Sequence, residues 1–266
     1  MQEGRQIYFK TVYKCRKFVI TKPNIMKRIF FFSVLALLIF SSCRFLGWKG
    51  INGSGNIVTQ SRTAERFNSI DVSGAIDVYL KQDSAQQSIK IETDDNLQEY
   101  IDIHESNGVL YISPRNSYNL DPSKKIKVYV SAAYFKRLSA SGACNIYSEN
   151  KLTSSETMDI DLTGASDIKL DVKAPRINAE VTGASSVMLT GETKDFNVEG
   201  SGASDIKSFG LMTENTTLDI SGACSAEVFA SVKLDVQASG ASGIKYKGNA
   251  AVNQDISGAG SVKKVD

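Results

Sequence analysis

Asp159-Ile160-Asp161-Leu162-Thr163-Gly164-Ala165-Ser166-Asp167-Ile168-Lys169-Leu170 is the stretch that decides the fold. Apolar and polar residues alternate on both sides of Thr163-Gly164-Ala165, the two-residue period of a strand with one buried face. Glycine accepts positive φ without Cβ strain, so the tripeptide reads as a tight turn joining two strands. The unit recurs. Ser/Thr-Gly-Ala is centred on Gly74, Gly142, Gly164, Gly183, Gly202, Gly222, Gly240 and Gly258, and from Gly142 the intervals are 22, 19, 19, 20, 18 and 18 residues. A short fixed period marks a stack of coils, in which each copy buries its apolar face against its neighbours.

With each glycine taken as zero, apolar residues recur at −4 and −2, as in Ile160/Leu162, Ala179/Val181 and Leu218/Ile220. They recur at +4 in Val78, Ile146, Ile168, Val187, Ile206, Ile244 and Val262, while −3 and +5 are mostly polar. Strand, turn, strand and a second, looser corner within 18–22 residues make a parallel β-helix, an all-β solenoid. Seven such coils predict a prism about 30 Å long at strand spacing. Alanine follows the glycine in every copy. It is expected to fill a tight column between stacked turns, which a leucine at Ala184 or Ala203 would overpack.

The period fails over 76–141, which reads as an insertion of antiparallel strands capping the N-terminal end. Asn107-Gly108 between two apolar runs predicts a hairpin, and Asp94 to Tyr100 a short helical turn. Gly55 lies 19 residues before Gly74. The solenoid is therefore expected to start there, as one domain over 53–266.

The beginning of the chain has a different character. Met26-Lys27-Arg28, the apolar run Ile29 to Phe40, then Ser41-Ser42-Cys43 have the layout of an export signal followed by a lipid-accepting cysteine. Twelve residues, apolar but for Ser33, are too few to span a bilayer, which takes about 20. Residues 1–42 are read as leader and lipoprotein signal, with Met26 a candidate true start, and 43–52 as a lipid-anchored tether. Eight of the 31 Lys and Arg and one of the 29 Asp and Glu fall within 1–42, which leaves 23 against 28, a net charge of −5. An acidic mature chain offers no electrostatic footprint for nucleic acid. Beyond the leader and Cys43 there remain Cys144 and Cys224, each two residues after a repeat glycine where other copies carry serine. Four rungs separate them, roughly 19 Å at ~4.8 Å per strand, too far for a disulfide.

Catalytic signals are poor. The single histidine, His104, excludes a histidine-rich metal centre, and no phosphate-binding loop, nucleophile elbow or Cys-x-x-Cys occurs. The −3 positions of four consecutive copies are acidic: Asp161, Glu180, Glu199 and Asp219. They are expected to form an outward stripe, a shallow binding surface with at most weak affinity for Ca²⁺. Lys169, Lys207, Lys245 and Lys263 form a partial basic stripe at +5. A solvated row of like acids lacks the sheltered, raised-pKa partner that glycoside hydrolysis needs. No catalytic residue, cofactor or dedicated metal site is assigned.

Gly53-Ser54-Gly55-Asn56-Ile57, the strand-rich insertion ending in Leu138-Ser139-Ala140-Ser141-Gly142-Ala143-Cys144-Asn145-Ile146, and the run of Ser/Thr-Gly-Ala turns resemble the auto-transporter adhesin family with the head GIN domain. The resemblance implies a right-handed β-helix, shaped like pectin lyases without their catalytic residues, and a role in cell adhesion. The resulting expectation is an exported, non-enzymatic envelope lipoprotein of the outer membrane. It would bind a glycan or cell-surface protein through its flat faces. The competing expectations are a carbohydrate-active β-helix enzyme and a self-associating structural module.

Overall fold

The structure, a computed structural model, describes residues 49–115 and 118–266. The signal over 1–42 and Cys43 lie outside the described residues. Nearly everything described is strand. Before the glycine turns lie β3 (Ser69–Gly74), β10 (Arg137–Gly142), β13 (Met158–Leu162), β18 (Lys233–Ala238) and β20 (Ala251–Ile256). After them lie β4 (Ile76–Gln82), β11 (Asn145–Ser148), β17 (Ser225–Phe229), β19 (Gly243–Lys247) and β21 (Ser261–Lys264). In mid-stack, β14 (Asp167–Val181), β15 (Ser186–Gly200) and β16 (Asp205–Ile220) run almost from one turn to the next and serve both faces. Short β12 (Leu152–Thr153) pairs with β14 at Val172 on the third side. All these pairings are parallel, and equivalent positions stay in column. This is the parallel β-helix that the repeat spacing predicts, with six complete turns between Gly142 and Gly258.

The alternation places the core where the sequence put it. Ile160, Leu162 and Ile168 of one coil, and Ala179, Val181 and Val187 of the next, are all buried. Each large aliphatic side chain so buried contributes roughly 1.5–3 kcal/mol.

The turns stack at a residue other than the one expected. At Gly202, φ is +85°, and a Cβ there would lie 2.6 Å from the carbonyl oxygen of Gly183 in the preceding rung. That carbonyl accepts the amide of Ala203 at 2.8 Å. Backbone therefore rests on backbone at the glycine. The alanines are exposed, Ala184 and Ala203 included, so the expectation of a tight alanine column is wrong. The tight position is two residues beyond the glycine. Ser166, Ser185, Ser204 and Ser242 are buried there. Each hydroxyl donates to the carbonyl three residues back, as Ser204 Oγ does to Ser201 O at 2.8 Å. Cys144 and Cys224 make the same contact through Sγ, to Ser141 O at 3.4 Å and Ser221 O at 3.1 Å. Cysteine takes serine's place in the ladder, and both thiols are buried and free.

At the β3/β4 end the two faces continue into other strands. β9 (Ile126–Ala132) runs parallel to β4, then β5 (Ser88–Asp94) antiparallel to β9, then β2 (Ile57–Arg62) antiparallel to β5. On the other face β7 (Val109–Pro114) runs parallel to β3 and β6 (Ile101–Ser106) antiparallel to β7. β1 (Lys49–Asn52) and β8 (Tyr118–Asp121) form a separate two-stranded sheet. The hairpin between β6 and β7 turns at Asn107 (φ 54°) and Gly108 (φ 77°), as its sequence predicts. A 3₁₀ turn occupies Asp95–Tyr100. Gly55 is not the first turn of the stack. β2 pairs antiparallel with β5, so the glycine column begins at Gly74. β4, inside the interval 76–141, belongs to the stack and pairs with β11. Among the described residues no helix is long and apolar enough to cross a membrane.

Candidate functional site

Side chains that alternate away from the core on the face before the turns form three outer columns. The −3 column runs through Ser139, Asp161, Glu180, Glu199, Asp219 and Gln237 on adjacent strands. The −5 column runs through Arg137, Asp159, Asn178, Asn197, Thr217 and Asp235, and the −7 column through Arg176, Asp195, Asn215 and Lys233. The four acids singled out in the sequence therefore do stand in one row. The −3 and −5 columns together line a groove of about 630 Å³ along the stack.

Within the groove charges are matched at its ends and unmatched in its middle. Arg137 Nε donates to Asp161 Oδ2 at 2.6 Å, and Ser139 Oγ reaches the same oxygen at 3.3 Å. Lys233 holds Asp235 at 2.6 Å at the other end. Glu180, Glu199 and Asp219 make no ion pair among the described residues. Beside them the amides form a ladder. Asn178 donates to Asp159 at 2.9 Å and Asn197 to Asn178 at 3.0 Å. On the flanking column Asp195 accepts from Asn215 at 2.9 Å and Arg176 at 3.0 Å, which holds its carboxyl below the ordinary range. Asp71, on β3, behaves oppositely. Burial pushes its carboxyl up and Asp161 adds to the rise, while Arg137 opposes it.

Two rungs about 4.8 Å apart set a carboxylate beside an amide, Glu180 with Asn178 and Glu199 with Asn197. Such a surface offers charge and hydrogen bonds along its length. Arg137 is the one basic residue lining it among the described residues. Among those residues no three or more His, Cys, Asp and Glu side chains are grouped to hold a metal ion. The amides at −5, Asn178 and Asn197, recur at the repeat interval in the sequence, but the acids at −3 are the stronger signal there.

Other singled-out residues stand apart. Lys169, Lys207, Lys245 and Lys263 share one outer column after the turns, interrupted by Met188 and Glu227. Lys207 pairs with Asp205 and Lys245 with Glu227. His104 is exposed on β6, 2.8 Å from Asp102 and stacked on Tyr111.

Residues 66–250 match the family described as "Putative auto-transporter adhesin, head GIN domain". The chain belongs to this family. Solved structures of similar shape include a "putative adhesin" from Bacteroides fragilis NCTC 9343, at TM-score 0.76 and 23% identity over 81% of this chain and 100% of that one. A "putative lipid binding protein" from Parabacteroides distasonis ATCC 8503 aligns at TM-score 0.68 and 22% identity, over 82% of this chain and 100% of that one. A "putative adhesin" from Parabacteroides merdae ATCC 43184 aligns at 0.66 and 22%, with the same coverage. At these identities the likeness establishes the fold of a head GIN protein and nothing finer. Among proteins of curated function, none matches the sequence.

Proposed function

We propose that this head GIN protein is a non-enzymatic binding module of the bacterial envelope, anchored by lipid at Cys43 and displayed from the outer membrane. Its partners would be cell-surface proteins or glycans. The observation that carries this reading is the groove, where Glu180, Glu199 and Asp219 stand unpaired beside an amide ladder across successive rungs. Arg137 and Lys233 are paired at its two ends and the flanking Arg176 is taken up by Asp195, so the acids in the middle of the groove are left for a cationic segment of a partner. Membership of a family described as adhesins supports the same reading.

The test is a binding screen of the full chain, held in detergent, against immobilised extracellular-matrix proteins and glycans. The groove reading expects retention on at least one matrix protein and its loss in Glu180→Gln/Glu199→Gln. Binding untouched by the double variant would remove the groove from the account. Anchoring is tested separately by metabolic palmitate labelling, which should mark the wild type and not Cys43→Ala. Lipidation with more than one chain gives stable membrane attachment. Equal labelling of the two would refute the anchor.

A further inference from the structure

The outer column after the turns changes character along the stack. From Lys169 to Lys263 it carries mostly flexible charged side chains, but its first three positions are Tyr129, Tyr79 and Tyr147, in register on β9, β4 and β11. The rings stack, with centroids 5.1 Å apart between Tyr79 and Tyr129 and 5.3 Å between Tyr79 and Tyr147. All three are half-buried. They lie outside the aliphatic core, and no later rung carries an aromatic in this column.

Beside this row is a pocket of about 280 Å³. Tyr79 and Tyr129 form its aromatic wall. Lys81 lies two residues beyond Tyr79 on β4, Glu149 directly follows β11, and Lys90 comes from β5, directly opposite Tyr129. Asp83 and Gln86, between β4 and β5, and Ser88 at the start of β5 close the side. Lys81 is tied loosely to Asp83, at 3.9 Å. Lys90 and Glu149 make no ion pair among the described residues. Two lysines and two carboxylates leave the lining neutral overall.

We infer that this pocket is a binding subsite for one ring of a neutral oligosaccharide. A pyranose presents apolar C–H groups on one face and hydroxyls round its edge. Because Tyr129 and Tyr147 cover the two faces of Tyr79, the C–H groups fit the open edges of the stacked phenols, whose aromatic bodies are apolar and whose hydroxyls are polar. The hydroxyls fit a rim of alternating donors and acceptors: ammonium groups give hydrogen bonds, carboxylates accept them, and Ser88 and Gln86 do both. A small concave site with an aromatic wall and a few convergent polar groups is the usual form of a ligand pocket. Neutral lining disfavours an anionic sugar, which would need an excess of cations. The subsite lies on a different face from the acidic groove, so it deepens the adhesive reading without depending on that groove.

Saturation-transfer NMR of the full chain with cellobiose, lactose and 3′-sialyllactose tests the inference. A neutral disaccharide should receive saturation chiefly on the C–H groups of one ring face. Lys90→Ala and Glu149→Gln, both at exposed or rim positions, should weaken that sugar about tenfold without moving the thermal midpoint. Tyr79→Phe keeps the ring stack and removes one hydroxyl, so it should also weaken binding. Glu180→Gln/Glu199→Gln should leave sugar binding unchanged, which separates this site from the groove. No transfer to either neutral sugar, transfer only to sialyllactose, or binding indifferent to Lys90→Ala and Tyr79→Phe would each overturn the assignment. The last of these would leave the tyrosine row as cross-strand stacking alone.

Discussion

At Gly202 the backbone has φ +85° and the missing Cβ leaves room for a carbonyl of the rung below. Gly202→Ala meets both a left-handed conformation, costing an L-residue ~1–2 kcal/mol, and a contact too short to keep. Ala203→Leu places its extra atoms in solvent and should change stability by no more than about 0.5 kcal/mol. Thermal melts of the two variants check this, and a larger loss at Ala203 would contradict the glycine-stacking account. Asp94 is the second decisive residue. Burial pushes its carboxyl up, but hydrogen bonds from the Ser123 hydroxyl and amide and from the Gly55 amide outweigh it and hold the folded pKa below the ordinary 3.8. A depressed folded pKa stabilises fully above the unfolded value and is lost as pH falls through the folded one. Wild type should therefore exceed Asp94→Asn in urea midpoint at neutral pH, and the gap should shrink below about pH 4. A gap constant with pH would show that Asp94 does not act through its charge. Of these two, the glycine was legible in the repeat. Asp94 was not, because its partners Gly55 and Ser123 lie 39 and 29 positions away with no local pattern joining them.

At the scale of the strand, alternation around the glycine fixed which side chains face inward, since a one-residue slip would reverse every face. Asp161, Glu180, Glu199 and Asp219 could be placed in a row from spacing alone. What alternation could not show is the order of strands where the repeat is interrupted. β9 and β7 extend the stack in parallel and β5, β2 and β6 in antiparallel, a choice set by long-range pairing. The tyrosine row was hidden for the same reason: Tyr79 and Tyr147 share a repeat position, but Tyr129 joins them only through the β4–β9 register. Recurrence of the alanine does not by itself imply packing, since the alanines are exposed. In a solenoid each coil interacts with its neighbours alone. Deleting residues 184–202, one whole 19-residue period, should thus join β14 to β16 in register and leave a folded protein. Deleting 184–193 should break the turn and the columns. Far-ultraviolet circular dichroism and the sharpness of unfolding decide between them. Comparable loss of structure in both deletions would contradict a modular stack.

For the whole molecule, the outer faces differ in kind: an acid and amide groove before the turns, a tyrosine-to-lysine column after them. Carboxylates one rung apart repel unless solvated or bridged, but no group of three or more is placed to hold an ion among the described residues. Melting in CaCl₂ should match melting at equal ionic strength. A calcium-specific rise that vanishes in Glu180→Gln/Glu199→Gln would reveal a shallow site of the ~10⁻⁴–10⁻³ M class. The central claim is that the groove mediates attachment. The most direct measurement is adhesion of bacteria carrying wild type or Glu180→Gln/Glu199→Gln/Asp219→Asn, at equal surface level, to the matrix component that retains the purified protein. The account predicts that wild-type cells attach and that cells with the triple variant, folded and equally abundant, do not. Equal attachment by both would contradict it.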